Sequence, residues 1–124
     1  MSEHKPHPGS KAVGDVVLPA SSLAEIASDA PYQSHRIVPH TLFDSPSARV
    51  VHIALDEGQV LTEHMAPFPI IVQVVEGSVV FVVNGQENLL EAGGLIHLEA
   101  RLLHEVRAVG SARIQITLLK QHKG

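Results

Sequence analysis

From about residue 34 onward, apolar residues come in short runs broken by turn formers roughly every eight to twelve positions, the spacing of a β protein. The runs are HRIVPHTLF, SARVVHIALD, QVLTEHM, IIVQVVEG, SVVFVV, QENLLEAG, LIHLEA, HEVRAV and ARIQITLLK. Asn84-Gly85, between VVFVV and QENLL, predicts a type I′ hairpin, because both central positions of that turn need positive φ. Further turns are expected at Glu76-Gly77 and Gly93-Gly94. Side chains alternate across a strand, so Val51, Ile53 and Leu55, the bulkier face of their run, should point inward. His52 then faces outward, toward solvent or an interface. His97 alternates against Ile96 and Leu98 and reads as a structural residue.

Upstream the pattern changes period. In SSLAEIASDAP, Ser22 and Glu25 have the spacing at which each side chain satisfies the other's backbone N–H at a helix start. Leu23, Ile26, Ala27 and Ala30 form one apolar stripe, and Pro31 ends it, so one short helix is expected. Residues 1–17, rich in Pro, Gly and polar side chains, bury too little apolar area to offset their chain entropy and read as a flexible tail. That leaves 18–124 as a single domain. No repeat is visible, and many short antiparallel strands with little helix imply an all-β sandwich or closed barrel.

Composition narrows the chemistry. At 124 residues one continuous core can form. With three Phe, one Tyr and no Trp, it must be built from Val, Leu, Ile and Ala. Nine Lys and Arg against thirteen Asp and Glu, with no basic block, argue against nucleic-acid or membrane partners. No cysteine is present, so disulfides, thiolate catalysis and Cys-based metal sites are excluded and any metal must use His, carboxylate or amide ligands. No apolar run has the length of a signal-peptide core or a bilayer span, and the expected compartment is the cytoplasm.

The chemistry-bearing residues carry a resemblance. GQVLTEHMAPFPIIVQVVEG resembles the first signature motif of the cupins, G-x5-H-x-H-x3-4-E-x6-G, with Gly58, His64 and Gly77 on its first glycine, first histidine and last glycine. GGLIHLEARLLH resembles the second, G-x5-P-x-G-x2-H, with Gly93 and His104 at its ends. The two motifs cover about residues 58–108, and the wording EHMAPF is similar to that of a subgroup of small bacterial cupins with Ala-Pro after the first histidine. The resemblance implies a cupin-type (RmlC-like) jelly-roll β-barrel. It also implies a metal held by two histidines and a glutamate from the first motif and one histidine from the second, a set suited to Fe, Mn, Ni, Cu or Zn.

Here Ala66 stands at the second histidine and Ile70 at the glutamate, which reduces the implied metal ligands to His64 and His104. Two imidazoles without an anionic donor hold a divalent cation weakly, so the expected cofactor is none, or a weakly held Zn, Ni, Fe or Mn ion. Strand alternation turns Glu63 and Met65 away from His64, Glu105 away from His104 and Gln73 away from Ile70, so none is an obvious substitute ligand. Glu99 replaces the motif proline and Arg101 its glycine, so the turn before His104 is expected to take a different path.

The expected interior is a small apolar pocket lined by His64, Ala66, Phe68, Ile70, Phe81 and His104, with Met65 at its rim. Its leading reading is binding of an unknown small apolar or weakly polar molecule without the full metal site. One alternative is a metal-dependent dioxygenase, isomerase or lyase using His64 and His104. The other is a non-catalytic dimeric scaffold. A homodimer is expected through sheet faces or exchanged N-terminal strands, with HRIVPHTLF and ARIQITLLK as the candidate contacts.

Overall fold

The computed structural model describes residues 16–120, so all but the last two residues of the expected tail lie outside it. One helix, α1 (Leu23–Asp29), precedes seven strands: β1 (Pro39–Asp44), β2 (Ala48–Leu55), β3 (Val60–His64), β4 (Ile70–Val83), β5 (Gln86–Glu91), β6 (Leu95–Leu98) and β7 (His104–Leu119). The helix begins as expected at Ser22, whose hydroxyl accepts from the Glu25 N–H at 3.1 Å. Glu25 reaches one residue further back than a capping box requires, and its Oε1 accepts from the Ser21 N–H at 3.1 Å and the Ser21 hydroxyl at 2.8 Å.

All pairings are antiparallel, and the two long strands β4 and β7 run side by side through the whole structure. Their halves belong to different faces. Residues 70–74 of β4 and 112–119 of β7 pair with β6 and β2, and β1 adds to the edge of β2. Residues 78–83 of β4 and 104–109 of β7 pair with β5 and β3. The sheet thus folds over itself into a jelly-roll barrel, and its inner faces meet in one aliphatic core that includes Leu55, Val72, Val74, Val79, Val106 and Ile114 around Phe81.

The expected turn at Glu76-Gly77 is a bulge inside a continuous strand. On either side of it the inward residues change parity, from Ile70, Val72 and Val74 to Val79 and Phe81. An extra residue is the device that keeps both halves facing inward, because a one-residue slip otherwise turns every side chain to the other face. Gly77 supplies the required backbone at φ +77°, packed against Ser111 and Ala112 of β7. HEVRAV and ARIQITLLK likewise join into one strand. The Asn84-Gly85 hairpin is as expected, with φ values of 52° and 76°.

Candidate functional site

Inward alternation on β2, β4 and β7 builds a pocket of about 300 Å3 in the barrel. Its walls are Val51 and Ile53 of β2, Ile70 of β4, and Ile116 and Leu118 of β7. Leu61, Pro39, Met65, Ala66 and Pro67 complete the enclosure, and Met65 is half exposed. His104, the first residue of β7, is the only described lining side chain with a nitrogen or oxygen atom.

Two contacts bear on the orientation of the His104 ring. Its Nδ1 lies 3.0 Å from the Leu102 carbonyl, which can only accept, so Nδ1 carries the proton and the lone pair of the neutral ring sits on Nε2. Phe81 stacks against it at 5.4 Å between centroids and 13° between planes. The ring is 3% exposed.

Of the six residues expected to line the pocket, Ala66, Ile70 and His104 come together there. Phe81 is fully buried one layer further in, where it supports the imidazole instead of facing the cavity. Phe68 is half-buried outside the lining, which in its loop is made by Ala66 and Pro67. The His64 backbone pairs with His104 across β3 and β7, and its side chain lies outside the described residues. The aliphatic walls Val51 and Ile53 follow from the alternation of their strand, whereas Leu118 and Pro39 carry no comparable signal.

The turn before His104 has a left-handed residue at the position where the motif it resembles carries glycine. Arg101 takes the left-handed conformation itself, at φ +67°, and its N–H donates to the Ala66 carbonyl at 2.8 Å, tying this turn to the loop that edges the pocket. A left-handed L-residue costs about 1–2 kcal/mol, and glycine's extra chain entropy returns about half of that. Arg101→Gly should therefore raise stability by about 1 kcal/mol in denaturant unfolding. A destabilised variant would show that the arginine side chain holds the turn.

The implied metal set can be tested against the donors present. The positions corresponding to two of its four ligands, Ala66 and Ile70, place hydrocarbon on the pocket wall beside His104. No group of three or more His, Asp or Glu side chains converges among the described residues.

On the outer face of the same strands, His52 is fully buried, and not in contact with solvent as its outward direction suggests. Through Arg113 it is joined to the segment of Ala30 and Tyr32. Its Nδ1 lies 3.2 Å from Gln115 Oε1 and its Nε2 3.2 Å from Arg113 NH1, and that nitrogen of Arg113 also donates to the Ala30 carbonyl at 2.8 Å. A guanidinium cannot accept, so Nε2 must, and the proton of the neutral ring sits on Nδ1. Burial, together with the facing Arg113 and His40, pushes the His52 pKa below its ordinary value, against opposing contributions from Gln115 and Glu76.

A family model described as AraC-like ligand binding domain matches residues 47–123. No curated protein matches the sequence. Among solved structures, a conserved protein of unknown function from Streptococcus pyogenes is similar over 98% of this chain and 99% of its own, at 15% identity and TM-score 0.70. An RmlC-like cupin from Desulfovibrio desulfuricans is similar over 92% of this chain and 98% of its own, at 20% identity and TM-score 0.68. A cupin 2 conserved barrel domain protein from Leptotrichia buccalis shares 27% identity at TM-score 0.71, over 79% of this chain and 46% of that one.

Proposed function

Because the chain belongs to the AraC-like ligand binding domain family, we propose that the barrel pocket binds a compact, largely apolar molecule with one polar group directed at His104, and that binding needs no metal. The observation that carries this reading is the composition of the pocket. Of its eleven described lining residues, ten offer only hydrocarbon or, in Met65, a thioether, and the remaining one is an imidazole. A volume of about 300 Å3 lies at the small end of ligand sites.

Such walls choose by desolvation. Each buried CH2 of a ligand contributes about 0.8 kcal/mol, whereas each hydroxyl left against hydrocarbon costs about 1–3 kcal/mol. Among the described residues no Lys or Arg lines the pocket to neutralise a carboxylate or phosphate. Sugars and small anions are therefore disfavoured, and phenols and small cyclic alcohols fit.

Thermal unfolding with a matched series of a phenol, the corresponding benzoate and a monosaccharide tests this. The phenol should stabilise the protein increasingly with concentration, by about 2.7 kcal/mol at a hundredfold excess over its Kd, and the other two should not. Ala66→Phe, which fills the pocket from its edge, should abolish the shift while leaving the fold intact. Stoichiometric divalent metal in tag-free protein, lost in a His64→Ala His104→Ala variant, would replace this reading with that of a metal-dependent enzyme.

A further inference from the structure

The cluster around His52 lies outside the barrel pocket and is built as a clamp. Arg113, 4% exposed, holds the segment 30–33 to the outer face in two ways. Its NH1 donates to the Ala30 carbonyl, and its guanidinium carbon sits 4.4 Å from the centre of the Tyr32 ring. Tyr32 in turn donates from its hydroxyl to Glu76 Oε2 at 3.2 Å. The same NH1 depends on His52 Nε2 as an acceptor.

We propose that His52 is a proton-operated latch: when Nε2 takes up a proton it can no longer accept from Arg113, and the guanidinium releases residues 30–33 from the outer face of the barrel. On protonation two donors and two positive charges face each other at the present 3.2 Å contact. The groups facing this pair set the balance. From β4, Glu76 Oε1 lies 3.5 Å from Arg113 Nε, but Glu76 is half exposed and is one carboxylate against two cations. From β1, His40 is the direct register partner of His52 and, like Arg113, disfavours a positive charge on the His52 ring. From β7, Gln115 can accept from Nδ1 in either state. Asp29 and Arg36, opposite in charge, line the crevice beside His40.

The direction with pH follows from the neutral buried ring. Above the ordinary histidine value of 6.5 neither the folded nor the unfolded chain protonates His52, and the clamp contributes fully. As pH falls below that value the unfolded or released ring binds the proton first. The clamp weakens progressively until the lower folded value is passed.

Tyr32 reports on the latch directly, since it is the only tyrosine and the chain has no tryptophan. Acrylamide quenching of its fluorescence should rise several-fold between about pH 7 and pH 5, the range in which imidazoles titrate, with the far-UV circular dichroism of the barrel unchanged. His52→Gln, whose amide oxygen can accept from Arg113, should remove the transition, and His40→Gln should leave it in place. The latch is overturned if quenching in wild type is flat, if β structure is lost in the same transition, or if the His40 variant and not the His52 variant removes it. Should His52→Gln fail to fold, NMR of the wild-type protein decides: the His52 and Tyr32 ring protons must titrate with a common midpoint, and separate midpoints reject the coupling.

Discussion

Gly77→Ala should destabilise the protein by roughly 3–5 kcal/mol, the largest single-site loss expected outside the hydrophobic core. Two costs combine. At φ +77° an L-residue is strained by about 1–2 kcal/mol whatever surrounds it. A Cβ built there would also overlap the Ser111 carbonyl oxygen and stand 2.9 Å from Ala112 Cα, and both are backbone atoms of β7, which cannot rotate aside. The clash falls where β4 and β7 pass from one face of the jelly roll to the other, so relief requires separating the two strands with the most extensive pairing in the barrel. Gly85→Ala is the control. It has a comparable φ of 76°, but nothing lies within 4 Å of its added Cβ, and it should show the conformational cost alone. Equilibrium urea unfolding of both variants checks the difference, and equal losses would refute the steric part of the account.

Gly77 also marks where sequence reading stopped. Asn84-Gly85 was legible because a type I′ turn is a local demand, satisfied by two adjacent residues and needing nothing from the rest of the chain. A bulge is a property of two strands. Glu76-Gly77 looks like any glycine turn until β7 lies alongside and the parity of inward residues on each side can be compared. The inner wall was legible to the extent that alternation decides it, which places Val51 and Ile53 on the pocket side. His52 was legible in direction only. Its burial involves a buried arginine 61 positions further on, which also binds the Ala30 carbonyl oxygen, and neither group leaves a hydrophobic pattern in the sequence. Arg101 shows the reverse case, in which a residue other than glycine takes the left-handed conformation while its N–H is held by the Ala66 carbonyl.

Phe81→Ala should cost about 3–5 kcal/mol, the range for emptying a fully buried aromatic site. It should also weaken whatever binds in the barrel pocket. Phe81 is fully buried, with Val79 and Val106 among the core around it, so the void cannot collapse without moving both long strands. The ring also stacks on His104, a contact of about 0.5–1.5 kcal/mol beyond its buried area. With that support gone, the imidazole loses the ring packed beneath it and can tilt into the space left there, while Nδ1 still faces the Leu102 carbonyl. The two consequences separate in Phe81→Leu, which keeps much of the buried volume but has no ring to stack. Its stability loss should be clearly smaller, while its phenol-induced thermal shift should fall nearly as far as that of the alanine variant. If Phe81→Leu keeps the full ligand shift, Phe81 serves the core alone and the orientation of His104 is fixed from β7.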